Sequence, residues 1–205
     1  MVPATKYIVM FNTQLQRFEE PGVVLSRCFS NSVMADDSSI SIMPSDQIQR
    51  AIRRMAMQMV EDLHEDINLL LIGINKRGYF TAQLLEQALK VSGLSQASTI
   101  NLDVHTKTLQ GDNNNEQLTK ARHIVLVDDV LFSGSTMIQA FRFVLDVVQP
   151  DSMKIAVLVD RGHRKFPIQP DYVGIVSPTK LREHVSVQFT ASGAPDSVRL
   201  LLSGI

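Results

Sequence analysis

The feature that most constrains the fold is a repeated order of apolar runs and helical segments that begins near residue 67. The runs of strand length are 67–74, 98–104, 123–129 and 153–160, and all but 98–104 are largely apolar. Segments with helical spacing of apolar residues follow the first run at 79–93 and the third at 135–148. Strands that are apolar on both faces and alternate with helices are typical of a parallel sheet covered on each side. The sequence therefore predicts an α/β fold with a parallel-sheet core.

The segments outside this core carry weaker signals. Residues 46–63 have helical spacing, and Ser45 could cap that helix. Two short strands with alternating polarity, 171–177 and 183–189, are expected to form a sheet edge or a small C-terminal hood. Residues 1–44 are interpreted as an N-terminal extension, with a possible β-hairpin and a linker at 31–41, and residues 45–205 as the main domain.

Residues 105–121 form a polar stretch containing "GDNNNEQ". This stretch has turn chemistry and no periodicity, so it is predicted to be a mobile loop.

Composition limits the classes of protein to consider. The 205 residues carry 20 basic and 21 acidic side chains, so the net charge of −1 provides no global attraction for nucleic acid. The longest apolar run is far shorter than the roughly 18 residues that a membrane span needs, and the N-terminus lacks a signal-peptide layout. A cytoplasmic protein without a membrane segment is expected.

Cys28 is the single cysteine, and neither it nor the five histidines have zinc-ligand spacing.

Two adjacent carboxylates, Asp128 and Asp129, end the third apolar run and precede a Ser-Gly-Ser-Thr turn. In an open parallel sheet, ligands bind beyond the carboxyl ends of the strands. The helix that begins near Ser135 offers free backbone N–H groups and a positive dipole end to a phosphate. Because carboxylates repel a naked phosphate, they are expected to face hydroxyl groups or a hard cation such as Mg²⁺. A ribose phosphate has both kinds of group, whereas the simpler interpretation is a pair of solvated strand-end carboxylates.

Three motifs resemble the type I phosphoribosyltransferases. "IVLVDDVLFSGST" (124–136) resembles the thirteen-residue phosphoribosyl pyrophosphate motif of that family, and "GINKRG" (73–78) is similar to its pyrophosphate loop. "LVDRGHRKFPIQPDYVG" (158–174) is similar to one branch, the bifunctional pyrimidine operon attenuator and uracil phosphoribosyltransferase. The resemblance covers about residues 45–189.

The resemblance implies a set of site residues. Asp128, Asp129 and Arg77 would be catalytic, and the two aspartates would hold Mg²⁺ indirectly through ribose hydroxyls or water. The substrate-binding residues would be Lys76, Arg77, Gly78, Val130, Leu131, Phe132, Ser133, Gly134, Ser135, Thr136 and Arg161. Purine-specific relatives commonly have an aspartate at the position of Phe132, so a pyrimidine acceptor, uracil, is expected. The partners implied are phosphoribosyl pyrophosphate, a nucleobase and further copies of the chain in a homodimer or larger homo-oligomer.

The chain departs from that branch in the segment 105–121, which is shorter than the usual closing loop and lacks its Tyr-Arg-Asp-Asp signature. Loop closure shields a reaction from water, so slow turnover with uracil is predicted. Ser135 also stands where an arginine is usual. A catalytically weak or silent nucleotide-binding regulator is therefore the main alternative. A phosphoacceptor receiver domain, with Asp160 and Lys180 as its other site residues, is disfavoured because it has no use for the phosphate loop.

RNA binding would rely on basic side chains. Arg50, Arg53 and Arg54 form one positive cluster, but Met57, Gln169 and Ile175 stand where the branch usually has basic residues. We therefore expect no specific attenuator binding at physiological salt.

Overall fold

The computed structural model describes residues 39–63, 68–110 and 114–201. In chain order the elements are β1 (Ser39–Pro44), α1 (Ser45–Asp62), β2 (Leu69–Ile74), α2 (Asn75–Val91), β3 (Ser98–Asp103), β4 (Thr108–Gln110), α3 (Asn114–Lys120), β5 (His123–Leu131), α4 (Ser135–Val147), β6 (Ser152–Asp160), β7 (Tyr172–Val176), β8 (His184–Phe189) and β9 (Pro195–Leu201). The predicted N-terminal hairpin and Cys28 lie outside the described residues.

The main sheet has six strands in the order β4-β3-β2-β5-β6-β7. Its strands run parallel except for β4, which pairs antiparallel with β3. All six residues of β2 are buried, because helices cover both faces of the sheet. Buried residues of α1 and α2 pack on one face, and those of α3 and α4 pack on the other. The predicted parallel-sheet α/β core is confirmed.

A second sheet has three antiparallel strands in the order β1-β9-β8. The strand predicted at 183–189 belongs to this sheet, whereas the one predicted at 171–177 forms the edge of the main sheet next to β6. Residues 39–41 were predicted to end a linker, and this was wrong: they form β1, because β9 supplies a hydrogen-bonding partner that local sequence does not reveal. Strand β9 itself was not predicted.

The start of α1 also differs from its prediction. Pro44 is the N-cap residue, and no side chain caps the helix. The Ser45 hydroxyl instead donates to the carbonyl oxygen of Pro195 at 2.7 Å. The predicted Ser45 cap was therefore wrong, since this side chain ties α1 to β9. The apolar stripe of α1 was predicted correctly, because Ile48, Met55 and Met59 are fully buried.

The segment predicted to be a mobile loop contains β4 and α3, so the prediction of a loop was wrong for these residues. A tight turn joins β3 to β4, and the Asp103 carboxylate accepts the backbone N–H groups of His105 at 2.9 Å and Thr106 at 3.1 Å. Leu118 anchors α3, since it is fully buried against the sheet. A single apolar residue in a polar stretch gave no periodicity from which to predict this helix.

Within the described part of the chain, every helix is too short or too polar to span a bilayer.

Candidate active site

The carboxyl ends of β2 and β5 lie side by side, because these strands are parallel neighbours with Gly73 opposite Val127. Asp128 and Asp129 follow Val127 along β5. Asp129 is 9% exposed and Asp128 is partly buried. The backbone N–H of Asp129 donates to the Asp128 carboxylate at 2.9 Å. Two carboxylates are therefore held together at the rim of the sheet where ligands of this fold class bind.

The surroundings of this acidic pair disfavour two negative charges. Burial and the neighbouring Asp129 charge raise the pKa of Asp128 well above its ordinary value. Burial also raises the pKa of Asp129, while its interactions with Asp128 and with the Arg77 guanidinium act in the opposite direction. A ligand that donates hydroxyl hydrogens or brings a cation would relieve this cost, so the pair is suited to binding such a ligand.

The residues predicted as a pyrophosphate loop form the first turn of α2. This helix begins at Asn75 rather than at residue 79, and Lys76 and Arg77 are exposed in its first turn. Asn75 has a left-handed backbone with φ of 55°, and its side-chain oxygen accepts the Val104 N–H at 3.2 Å. Sequence reasoning missed Asn75, although asparagine is enriched in left-handed backbone. This contact fixes the first turn of α2 against the end of β3.

Gly78 allows α2 to approach β5 closely. A Cβ atom at this position would lie 2.6 Å from the carbonyl oxygen of Val127 and 3.2 Å from the Cα atom of Asp128. These separations are shorter than ordinary van der Waals contact, so a side chain would push the helix away. The absence of a side chain at Gly78 therefore keeps Arg77 next to the acidic pair.

The turn between β5 and α4, residues 132–134, leads directly into a helix N-terminus. Gly134 is the N-cap residue, with a left-handed φ of 80° that glycine adopts without strain. The Ser133 hydroxyl accepts the Ser135 N–H at 3.3 Å, and the first turn of α4 holds no acidic residue. Helix-terminal N–H groups and nearby hydroxyls, including that of Thr136, form a suitable site for a phosphate.

Phe132 packs between two side chains of the segment that follows β6. The Arg161 guanidinium carbon lies 4.2 Å from the centre of the Phe132 ring, and the His163 ring meets it edge-on at 5.5 Å. Arg161 is only 4% exposed and donates to the Thr179 hydroxyl at 2.8 Å and to the Glu183 carbonyl at 2.6 Å. Arg161 thus connects Phe132 to the segment before β8.

A cavity of about 350 Å³ joins these features. Its lining contains the predicted residues Arg77, Asp129, Val130, Phe132 and Arg161, together with residues 181–185. Sequence analysis missed residues 181–185, because no recognisable motif marks them. A neighbouring cavity of about 290 Å³ brings Lys76 and Arg77 together with Phe80 and residues 187–191.

The other predicted residues are not part of the lining of this cavity. Gly78 and Asp128 are close to each other, since a Cβ atom added at Gly78 would lie 3.3 Å from the Asp128 carboxylate, and Leu131 is buried at the end of β5. Ser133, Gly134, Ser135 and Thr136 form the turn and the first residues of α4.

A metal ion has few protein ligands available here. Among the described residues, no group of three or more histidine, cysteine, aspartate or glutamate side chains could hold one. Mg²⁺, however, commonly binds through one or two carboxylates plus substrate phosphates and water. Asp128 and Asp129, with pKa values raised by burial, fit that limited role.

Comparisons with known proteins agree with this fold. A family described as "Phosphoribosyl transferase domain" matches residues 41–191, and the chain belongs to this family. The chain is 36% identical over 171 residues to "Bifunctional protein PyrR" of Oceanobacillus iheyensis, a match that covers 78% of this chain and 95% of that protein. It is 35% identical over 172 residues to the protein of the same name from Nostoc punctiforme, covering 79% and 96%.

Solved structures share the fold at lower identity. The HGPRT-ase of Leishmania tarentolae in complex with GMP has a TM-score of 0.63 and 22% identity, covering 81% of this chain and 98% of that one. A hypoxanthine phosphoribosyltransferase of Staphylococcus aureus has a TM-score of 0.60 and 19% identity, covering 75% and 85%. The predicted family and the class of enzyme, a phosphoribosyltransferase, are therefore confirmed.

Proposed function

We propose that this phosphoribosyltransferase transfers the phosphoribosyl group of phosphoribosyl pyrophosphate to uracil, giving uridine monophosphate and pyrophosphate. The observation that carries the proposal is a single cavity lined by an acidic residue, a cation and an aromatic ring: Asp129, Arg77 and Phe132. The phosphate-binding turn adjoins this cavity. The relatives of the chain that are named PyrR support the choice of the pyrimidine branch.

In this proposal the acidic pair binds the ribose. The hydroxyls of the ribose donate to Asp128 and Asp129, and the backbone N–H groups at the start of α4 bind the 5′-phosphate. Lys76 and Arg77 face the pyrophosphate. The bond between C1′ and the pyrophosphate oxygen breaks, the bond between C1′ and N1 of uracil forms, and the N1 proton is released. Carboxylates next to the ribose stabilise the positive charge that develops on the sugar.

Mg²⁺ that arrives with the pyrophosphate would neutralise the charge of this leaving group. The protein side of that site would be the two aspartates, acting through ribose hydroxyls or water. Their limited number agrees with a cation that the substrate delivers rather than one that the protein stores.

The choice of uracil relies on Phe132. This ring forms part of the cavity wall and is held between Arg161 and His163, so it presents an apolar surface to a base. A base could stack against this wall, and residues 181–185 could bind its polar edge.

A slow enzyme or a silent regulator is the second candidate. The turn that ends β3 is fixed by the Asp103 carboxylate and is followed at once by β4. A turn held in this way is a poor closing loop, and loss of closure reduces turnover more than ligand binding.

Two proposals concern partners. We expect a homo-oligomer, as the family resemblance implies. We expect no specific RNA binding, because Met57, Gln169 and Ile175 stand where the resembled branch usually has basic residues. In addition, the Arg54 guanidinium donates to the carbonyls of Val173 and Gly174.

Titration calorimetry with phosphoribosyl pyrophosphate and Mg²⁺ tests the site. The wild type is compared with the double variant Asp128→Asn, Asp129→Asn, and Asp151→Asn serves as the control because Asp151 pairs with Arg122 on the surface. We expect the double variant to bind at least tenfold more weakly, since charge-assisted hydrogen bonds are worth roughly 1.5–3 kcal/mol. Equal affinity in the wild type and the double variant would remove the basis of the assignment.

A further inference from the structure

The segment between β6 and β7, residues 161–168, contacts the phosphate-binding turn at several points. We propose that this segment, termed the brace, fixes the turn in its phosphate-binding shape and that Arg164 is its principal positioning residue. The inference rests on the proposed function, because it assigns the turn to the 5′-phosphate.

Three successive carbonyl groups of the turn receive donors from the brace. The Leu131 carbonyl accepts the Arg161 N–H at 3.0 Å, and the Ser133 carbonyl accepts the Lys165 N–H at 3.0 Å. Between them, the Phe132 carbonyl accepts the Arg164 guanidinium at 2.9 Å. The brace therefore binds every carbonyl from the end of β5 to the residue before Gly134.

The direction of these carbonyls determines the direction of the N–H groups. In a trans peptide the carbonyl of one residue and the N–H of the next point to opposite sides. Because the carbonyls of residues 131–133 face the brace, the N–H groups of residues 132–134 face away from it. A row of N–H groups on one side of a turn is an anion-binding arrangement. The brace thus prepares this arrangement before the phosphate arrives.

Arg164 joins the turn to two fixed points. Its guanidinium donates to the Asp160 carboxylate at 2.6 Å, and its Nε donates to the Ile168 carbonyl at 3.0 Å. The same Asp160 oxygen accepts the Gly162 N–H at 2.8 Å. The side chains of Arg164 and Asp160 are 20% and 15% exposed, so water screens this ion pair little. One planar guanidinium therefore fixes the positions of the end of β6, the brace and the turn relative to one another.

Two side chains of the brace lie close to the start of α4. A Cβ atom added at Gly134 would lie 3.7 Å from Ile168 and 3.9 Å from Phe166, which is van der Waals distance. The brace therefore lies beside the position where α4 begins.

Two substitutions test the role of Arg164. Arg164→Ala removes all the side-chain donors, and Arg164→Lys keeps the charge but cannot satisfy Phe132, Ile168 and Asp160 together. Arg122→Ala is the matched control, because Arg122 makes a surface pair with Asp151 and is 72% exposed. Circular dichroism and thermal unfolding establish which variants are folded, and if Arg164→Ala does not fold, Arg164→Lys decides the question.

Calorimetry then measures affinity for three ligands: phosphoribosyl pyrophosphate, uridine monophosphate and inorganic pyrophosphate. The first two carry a 5′-phosphate and the third does not. We expect both Arg164 variants to bind the first two about tenfold to a hundredfold more weakly, the effect of losing charge-assisted hydrogen bonds. Affinity for inorganic pyrophosphate should change less than twofold, because Lys76 and Arg77 lie on another element. Added guanidinium, far below unfolding concentrations, should restore part of the affinity lost in Arg164→Ala and leave the affinity of Arg122→Ala unchanged.

The outcomes separate this inference from the proposed function. Failure of the wild type to bind phosphoribosyl pyrophosphate would refute the proposed function. Normal wild-type binding with unchanged affinity in folded Arg164 variants would refute the brace. An equal loss for all three ligands would also refute it, since that pattern indicates general disruption rather than positioning of the phosphate turn.

Discussion

Asp128→Asn is expected to stabilise the protein without ligand while it weakens the binding of phosphoribosyl pyrophosphate. Burial and the adjacent Asp129 charge raise the pKa of the Asp128 carboxyl, so the ionised form is costly in the folded state. An asparagine of nearly the same shape removes that charge. The gain should be about 1 kcal/mol, the usual size of a favourable single change, which corresponds to roughly 2–4 °C in melting temperature for a chain of this length.

The pH dependence follows from the direction of this pKa. A raised pKa means that, between the ordinary value of 3.8 and the raised value, folded wild type binds more protons than the unfolded chain. Wild-type stability therefore falls as the pH rises from 3.8 towards the raised pKa. The advantage of Asp128→Asn should be small near pH 4 and should grow as the pH rises to 7.

Thermal unfolding at pH 4 and pH 7, followed by circular dichroism, measures both effects. Asp151→Asn is the control, and its melting temperature should change little because Asp151 is an exposed partner of Arg122. Titration with phosphoribosyl pyrophosphate at pH 7 should show at least a tenfold loss of affinity for Asp128→Asn. A lower melting temperature for Asp128→Asn than for wild type at pH 7 would show that the carboxylate is not costly, and the reasoning would fail.

Three further predictions concern packing and partners. Gly78→Ala should lower the free energy of unfolding by about 1–3 kcal/mol and weaken ligand binding, because its Cβ would lie 2.6 Å from the Val127 carbonyl; unchanged unfolding in denaturant would contradict this. Filter binding to pyrimidine-operon leader RNA at physiological salt, with and without uridine monophosphate, should show no specific affinity. Nanomolar binding that the nucleotide stimulates would contradict this prediction. Light scattering should give at least twice the 22.9 kDa of one chain, and a single-chain mass would exclude the proposed oligomer.

The central sheet could be predicted because three of its parallel strands, β2, β5 and β6, contain continuous apolar runs. The apolar pattern is clear in β2, where all six residues are buried, and in β5, where it precedes the acidic pair. Strands β1 and β9 could not be predicted in this way. They pair with each other although more than 150 residues separate them in the chain. Because this pairing stabilises both strands, neither needs a strong pattern of apolar residues in its own sequence.

The residues of the site likewise fall into two groups, those that sequence motifs predict and those that they do not. Asp129, Phe132 and Arg161 were recognised from contiguous motifs, and all three line one cavity. Residues 181–185 complete that cavity from a separate part of the chain. Arg164 was recognisable as a polar residue near a strand end, but its role depends on the carbonyl of Phe132, which lies 32 positions away. Sequence motifs therefore identified residues expected to contact the ligand, whereas the contacts that position them became apparent only in three dimensions.

Release of pyrophosphate from phosphoribosyl pyrophosphate and Mg²⁺, measured separately with uracil, hypoxanthine, guanine, adenine and orotate, tests the proposed function most directly. The proposal predicts release that depends on uracil, slow because the segment after β3 is a fixed turn, and lost in the double variant Asp128→Asn, Asp129→Asn. Robust release with purines and none with uracil would contradict it.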